Sequence, residues 1–328
     1  MIYDIKGFTM EKSNEEILAE LDALVYGHTE AKKTLINLVR RSKLRYKQKW
    51  HWDYTDEGLV PIINCLLIGA SGTGKTHLVE SLRKIMNFPF MKFDATTLQP
   101  TSAVGGVTSE GFRKRILDYA NSLFEDRKHE YHSVDGICDQ MIVFVDEIDK
   151  LGLDGGSGWN KNTQSNFLSL FENKGKLSAV SYIFAGAFSG MKCLEKGGGK
   201  KSIGFAEHVH VQVSEHHEFD SEIIKFGLMP ELVGRVGSII PLDVLTEDDY
   251  RNILLEVMLP KAQDTLYHLG VHEFDLANSE IDELVSKAHS SEQGVRFLTK
   301  GLAKLSRDAE FYGFQPKPIL RLTRGHNE

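Results

Sequence analysis

The sequence predicts an α/β protein: a doubly wound parallel sheet followed by a small helical domain at the carboxyl end. Three observations carry this. Short apolar runs bounded by turn residues recur between residues 61 and 245, helical stretches separate several of them, and the texture turns to helical spacing after Leu245. Unbroken apolar runs suit strands covered on both faces, and strands that alternate with helices suit a parallel sheet.

In chain order, residues 1–20 form an amino-terminal extension, 21–245 a large domain and 246–328 a small one. A short helix is expected near Ile17–Val25. A longer one runs from Thr29 to about Lys47, with Ala31, Leu35, Leu38 and Val39 on one face. The expected strands are Ile62–Ile68, Phe88–Phe93, Met141–Val145, Tyr182–Phe188 and Ile239–Leu245, with Val79–Met86 and Phe112–Phe124 the clearest helices between them. Thr246 and the acidic residues after it read as a helix cap for Tyr250–Leu259. Two more helices near Ser279–His289 and Gly294–Ala309, and a short strand at Ile319–Leu322, complete the small domain. Lys196–Lys201 is a Gly/Lys-rich loop.

Composition narrows the function. The 328 residues are 41% hydrophobic and 26% charged, ordinary for a globular protein. No apolar run approaches the length of about 18 residues that a membrane span needs, and Met1–Gly7 lacks the features of a signal peptide, so a cytoplasmic protein without a membrane partner is expected. A net charge of −7 speaks against nucleic acid as a partner. The basic run Arg40, Arg41, Lys43, Arg45, Lys47 and Lys49 reads as a solvated helix end. Cys65, Cys138 and Cys193 are too scattered for a zinc module or a disulfide framework. His208, His210, His216 and His217 lack the acidic or cysteine companions of a metal site.

The chemistry is written in two segments. Gly69, Gly74, Lys75 and Thr76 fill the fixed positions of a phosphate-binding loop that follows an apolar strand and opens a helix. Backbone N–H groups of Gly69, Ser71, Gly72, Thr73 and Gly74 would turn toward phosphate, Lys75 would reach the β- and γ-phosphates of ATP, and the Thr76 hydroxyl would ligate Mg²⁺. The second segment is an apolar strand ending in Asp146 and Glu147. Asp146 would hold Mg²⁺ through its water shell and Glu147 would polarise the attacking water. ATP hydrolysis follows as the reading.

Further detail resembles one family. The run Asp146–Lys150 is similar, almost letter for letter, to the corresponding segment of the ClpX-like AAA+ ATPases, unfoldases of the Clp/HslU type. Val25, Tyr26 and Gly27, followed by Ala31–Lys33, resemble that family's adenine-binding start. The resemblance, over roughly residues 22–310, implies an AAA+ domain with a helical lid, a homo-hexameric ring, and Val25 and Tyr26 flanking the base. It further implies that Arg235, in a segment similar to the family's arginine-finger segment, serves a neighbouring subunit's γ-phosphate, and that Arg296 is the sensor-2 arginine. No polar sensor-1 residue stands out in Ala185–Phe188.

Three features bear on the substrate. The family grips polypeptide with an aromatic pore-loop residue, and Ala103, next to Val104, stands in its place. The segment from Glu172 to Ser181 is short, without the family's basic pore-entrance loop. Ile203, Gly204 and Phe205 match the tripeptide with which the family docks a ClpP-type peptidase. Two readings stay open: a motor that unfolds or remodels a protein substrate, or a switch that uses ATP to control assembly with a partner. A nucleic-acid motor rests on the basic run alone.

Overall fold

The computed structural model describes residues 12–52, 54–97, 108–152, 163–165, 168, 177, 179–191, 213–291 and 293–312. Elements are numbered among these. The expectations at Ala103, Val104, Lys196–Lys201, Ile203, Gly204, Phe205, His208, His210 and Ile319–Leu322 fall outside them, as do the side chains of His216 and His217. By contacts the chain divides into two units. The first comprises Met1–Gly69 and Lys75–Leu242, and the second Ala70–Gly74 and Asp243–Glu328.

The first unit is a five-stranded parallel sheet in the order β2-β3-β4-β1-β5. Its strands are β1 (Cys65–Ile68), β2 (Phe90–Asp94), β3 (Ile142–Asp146), β4 (Ser181–Gly186) and β5 (Ser238–Pro241). Side chains alternate between two cores, as the period of two in a strand requires. Leu66, Ile68, Val143, Val145, Tyr182 and Phe184 face one core. Cys65, Leu67, Ile142, Phe144, Ile183 and Ala185 face the other. Both faces are therefore buried, which explains the unbroken apolar runs.

Helices α1 (Asn14–Asp22), α2 (Thr29–Trp50) and α3 (Lys75–Met86) cover one face, through residues such as Leu21, Leu35 and Leu82. Helices α4 (Ser109–Asp126), α5 (Val134–Gln140), α6 (Val213–Phe226) and α7 (Pro230–Val236) cover the other, through Phe112, Ile137, Ile223 and Leu232. Side-chain caps set several starts: the Ser13 and Glu16 pair closes a capping box on α1, while Thr108 Oγ1 and Ser133 Oγ accept from the N–H groups of Gly111 and Gly136. Burial pushes the Cys65 thiol up to about 12, so it behaves as a small apolar side chain.

The basic run of α2 does internal work. Arg40, Lys43 and Arg45 donate to the carbonyls of Lys12, Met86 and Val60, and Lys49 pairs with the buried Asp139 at 2.9 Å. The sequence reading of a solvated helix end is corrected on this point, because these heads satisfy three carbonyls and one buried carboxylate of neighbouring elements.

The second unit has its own core around Tyr250, Leu254, Leu266, Phe274, Leu298 and Leu302. It holds α8 (Glu247–Asn252), α9 (Leu259–His268), α10 (Asn278–Ser290) and α11 (Val295–Tyr312). Thr246 and Asp249 form the expected cap. The helix expected at Tyr250–Leu259 contains a π segment, Ile253–Met258, in which the Leu259 N–H reaches back to the Leu254 carbonyl. Pro260 has no N–H to continue the tighter ladder, and the widened turn accommodates it. No described helix is long and apolar enough to cross a membrane.

One joint in the first unit has no room for a side chain. Gly227 has φ +115°, and a Cβ there would lie 2.2 Å from the Gly152 carbonyl oxygen. Gly227→Ala is expected to cost about 1–3 kcal/mol in urea unfolding through backbone strain and this clash. An unchanged midpoint would show that the two segments are not in contact.

Candidate nucleotide site

The sheet places the chemistry at the carboxyl ends of its strands. Gly69 follows β1, and its N–H donates to the Gly186 carbonyl at 3.3 Å at the end of β4. The chain then enters the loop and returns to the first unit at Lys75, the first residue of α3. Lys75 Nζ donates to the Gly69 carbonyl at 2.5 Å. Thr76 Oγ1 donates to Asp146 Oδ2 at 2.9 Å. That bond brings the two sequence motifs together, since Asp146 is the last residue of β3 and lies 70 positions away. A hydroxyl and a carboxylate oxygen side by side are hard donors of the kind Mg²⁺ takes, so the residues fit the ion. Lys92 Nζ is 3.9 Å from Asp146 Oδ2, a further positive charge beside the pair.

Glu147 is exposed and has φ 58°, ψ 33°, a left-handed conformation that costs a residue with a side chain about 1–3 kcal/mol. Its N–H donates to Asp146 Oδ1 at 3.0 Å, and a 3₁₀ turn, Ile148–Leu151, follows at once. The sharp reversal turns the chain away from the sheet and leaves the Glu147 carboxylate at the rim. Strain of this kind at a strand end is held by its surroundings. Here they include Asp149, whose side chain is 3% exposed and 3.5 Å from Lys150 Nζ.

Within the second unit, the loop segment Ala70–Gly74 meets the start of α11. Arg296 Nη1 donates to Ser71 Oγ at 2.8 Å, and the Val295 N–H approaches the Gly72 carbonyl at 3.4 Å. Gly72 has φ +81°, and a Cβ would fall 2.1 Å from the Gln293 carbonyl oxygen, so only glycine fits there. Thr73 turns back on Ala70, with its hydroxyl donating to that carbonyl at 2.9 Å, and Gly74 has φ +92°. Arg296 is thus set against the phosphate loop itself.

Val25 is 5% exposed and Tyr26 half-buried in the turn before α2. Two groups hold this turn: Lys32, which the sequence reading quoted within Ala31–Lys33 without giving it a role, and His77, which it did not single out. Lys32, 2% exposed, pairs with Asp22 at 2.6 Å and donates to the Val25 carbonyl at 2.5 Å. His77 Nε2, in the first turn of α3, is 3.1 Å from the Leu24 carbonyl. A lysine at a position of apolar spacing was the available signal for the first; nothing local marks the second.

Arg235 stands apart from these groups. It is exposed in the last turn of α7, and its carbonyl accepts from Asn64 Nδ2 at 3.2 Å. Asn64 precedes β1, whereas the phosphate loop follows it, so the Arg235 backbone and the loop lie at opposite ends of β1. Four strand residues separate those ends by about 13 Å.

Comparison with known proteins gives a consistent picture. The family model for the ATPase family associated with various cellular activities (AAA) matches residues 65–191, a span that holds both motifs. The chain is similar to the ATP-dependent Clp protease ATP-binding subunit ClpX of Treponema denticola, with 26% identity over 90% of this chain and 76% of that protein. Its similarity to the ClpX subunit of Porphyromonas gingivalis is 25% identity over 90% and 76% of the two chains, and to that of Borrelia duttonii 26% over 90% and 73%.

Lys32→Met removes the partner of the buried Val25 carbonyl. It is expected to lower stability by about 1–3 kcal/mol in urea unfolding. Nucleotide affinity should weaken severalfold, with kcat held within about twofold, because the chemistry lies elsewhere. Unaltered affinity would remove the turn from the base site.

Proposed function

We propose, from the premise that the chain is a ClpX-like AAA+ ATPase, that it works as a cytoplasmic homo-hexameric ring motor that unfolds or remodels a protein substrate. The observation that carries the catalytic part is the Thr76–Asp146 bond, which seats the loop's hydroxyl on the carboxylate that ends β3. Lys75 and the loop's N–H groups would hold the β- and γ-phosphates of ATP, and Thr76 and Asp146 would hold Mg²⁺. When bound there, the ion would neutralise charge on the phosphate oxygens. Glu147, displayed at the rim by its left-handed backbone, orients the attacking water and takes up its proton. Val25 and Tyr26 flank the base, and Arg296, placed against Ser71, adds positive charge at the phosphates.

Arg235 serves a neighbouring chain's nucleotide. The support is positional: a guanidinium rooted at the amino end of β1 has about 13 Å of strand between it and its own loop, which exceeds the side chain's reach. Hydrolysis then requires two chains. The similarity to ClpX over 90% of the chain supports a protein substrate, and Ile203, Gly204 and Phe205 are the segment with which a ClpP-type peptidase would be met.

A second reading keeps the ATPase and drops the threading. Ala103 beside Val104 offers little surface for gripping a polypeptide, which favours a ring that uses ATP to control assembly with a partner. ATP-dependent loss of fluorescence from a folded reporter with a loose tail separates the two: loss supports the motor, and persistence alongside active hydrolysis supports the switch.

Glu147→Gln is expected to bind ATP normally and to hydrolyse it about 100-fold or more slowly. Arg235→Ala is expected to be similarly slow by itself. Mixing the two variants should restore measurable ATPase, since an Arg235→Ala chain keeps Glu147 and its neighbour supplies the arginine. Full activity of Arg235→Ala alone, or a mixture that stays silent, would sink the shared-site assignment.

A further inference from the structure

Between the catalytic strand and the arginine helix lies a buried amide that neither role has used. Residues 163–165 are helical, and Gln164 is 1% exposed. Its Nε2 donates to the Leu151 carbonyl at 2.9 Å and to the Gly227 carbonyl at 3.0 Å. Its Oε1 accepts the Met229 N–H at 2.7 Å. Both amide hydrogens and the amide oxygen are committed, and every partner is backbone.

The partners matter for what they are attached to. Leu151 ends the 3₁₀ turn that begins directly after Glu147. Met229 is the cap residue of α7, with φ −66°, and Arg235 is in the last turn of that seven-residue helix. The same two segments touch without any side chain, at the Gly152–Gly227 joint. At its other end α7 is tied by Asn64, whose Nδ2 donates to the Arg235 carbonyl and whose Oδ1 accepts the Tyr182 N–H at 2.9 Å. Helix α7 is thus clamped at its start to the turn that carries Glu147 and at its end to the sheet. A short helix fixed at both ends moves only when its anchors move. A shift of the Glu147 turn is therefore handed to α7 through Gln164, whose hydrogen bonds run beside the Gly152–Gly227 joint.

We propose that Gln164 is a positioning residue that couples the turn bearing Glu147 to the helix bearing Arg235, so that the state of a chain's own nucleotide site sets the posture of the arginine it offers to its neighbour. The inference rests on the roles given above to Glu147 and Arg235. A purely structural part for Gln164 would only hold the fold together. The coupling part predicts an effect on turnover that runs through Arg235.

The experiment compares Gln164→Met, Arg235→Ala and the double variant, each as full-length chain, by steady-state ATPase and by equilibrium binding of a fluorescent ATP analogue. Met229→Pro serves as a second probe. It deletes the N–H that Gln164 receives, together with a half-buried thioether that accepts the Ser165 hydroxyl at 3.7 Å, and φ −66° at that position already suits proline. Gln164→Met and Met229→Pro are each expected to lower kcat about 10- to 100-fold, as small misplacements of a catalytic group do, with analogue affinity within about twofold of wild type. In the Arg235→Ala background, Gln164→Met should add less than about twofold, because the path it serves is already cut. Wild-type turnover in both clamp variants alongside an impaired Arg235→Ala would overturn the coupling and leave the arginine assignment standing. So would losses that multiply in the double variant, or a fall in affinity that matches the fall in kcat. Should Arg235→Ala itself turn over normally, the arginine reading fails first and the coupling falls with it.

Discussion

A parallel strand with both faces buried has no lateral room for polar groups, and this constraint shapes the whole first unit. Every side chain of β1 and β4 is buried, and all of β3 except Asp146. An apolar interior of this kind gains roughly 25 cal/mol per Å² removed from water, but only while no polar group within it is left unpaired. Reactive groups are consequently exiled to the strand ends. The carboxyl ends of β1 and β3 carry the phosphate loop, Asp146 and Glu147. The amino end of β1 carries Asn64, and through it the seat of Arg235. The separation of Glu147 from Arg235, one at each end of the sheet, is a direct result of where polar atoms are permitted.

The left-handed residues mark the places where the chain leaves this rigid body. Gly27 and His28 turn the chain before α2, Glu147 follows β3, Gly227 leads toward α7, and Gly237 opens β5. Most of these are glycines, at which positive φ carries little penalty. His28 and Glu147 are the exceptions, and Glu147 stands directly after Asp146. The strain at Glu147 is borne by the buried turn that follows it, with Leu151 and Asp149 packed out of solvent.

Much of this was legible in the residues. The five apolar runs each overlap a strand, with ends displaced by up to about four residues, as when the run Ile239–Leu245 yields Ser238–Pro241. Unbroken apolar runs are a robust signal because burial on both faces leaves nothing else to read. The phosphate loop and the Asp146–Glu147 pair were legible because their chemistry demands fixed residue types at fixed spacing. Gln164, Asn64 and His77 were not, because each acts on backbone carbonyls or N–H groups far away in sequence, and backbone partners leave no trace in residue identity. The internal use of Arg40, Lys43, Arg45 and Lys49 escaped for the same reason: three of the four are satisfied by carbonyls. Pro260 signalled a break in the helical ladder, but not that a π segment at Ile253–Met258 would absorb it.

The Gly152–Gly227 joint has a consequence for how such a protein can change. Where two elements meet through side chains, substitution can lengthen, shorten or soften the contact by single methylenes, and a lineage can explore the spacing gradually. Here bare backbone rests on bare backbone, 2.2 Å from where the first carbon of any side chain would begin. There are no small steps away from that arrangement. The distance between the two segments is not adjustable by point mutation, and variation in it must be sought in the residues that anchor the joint from either side.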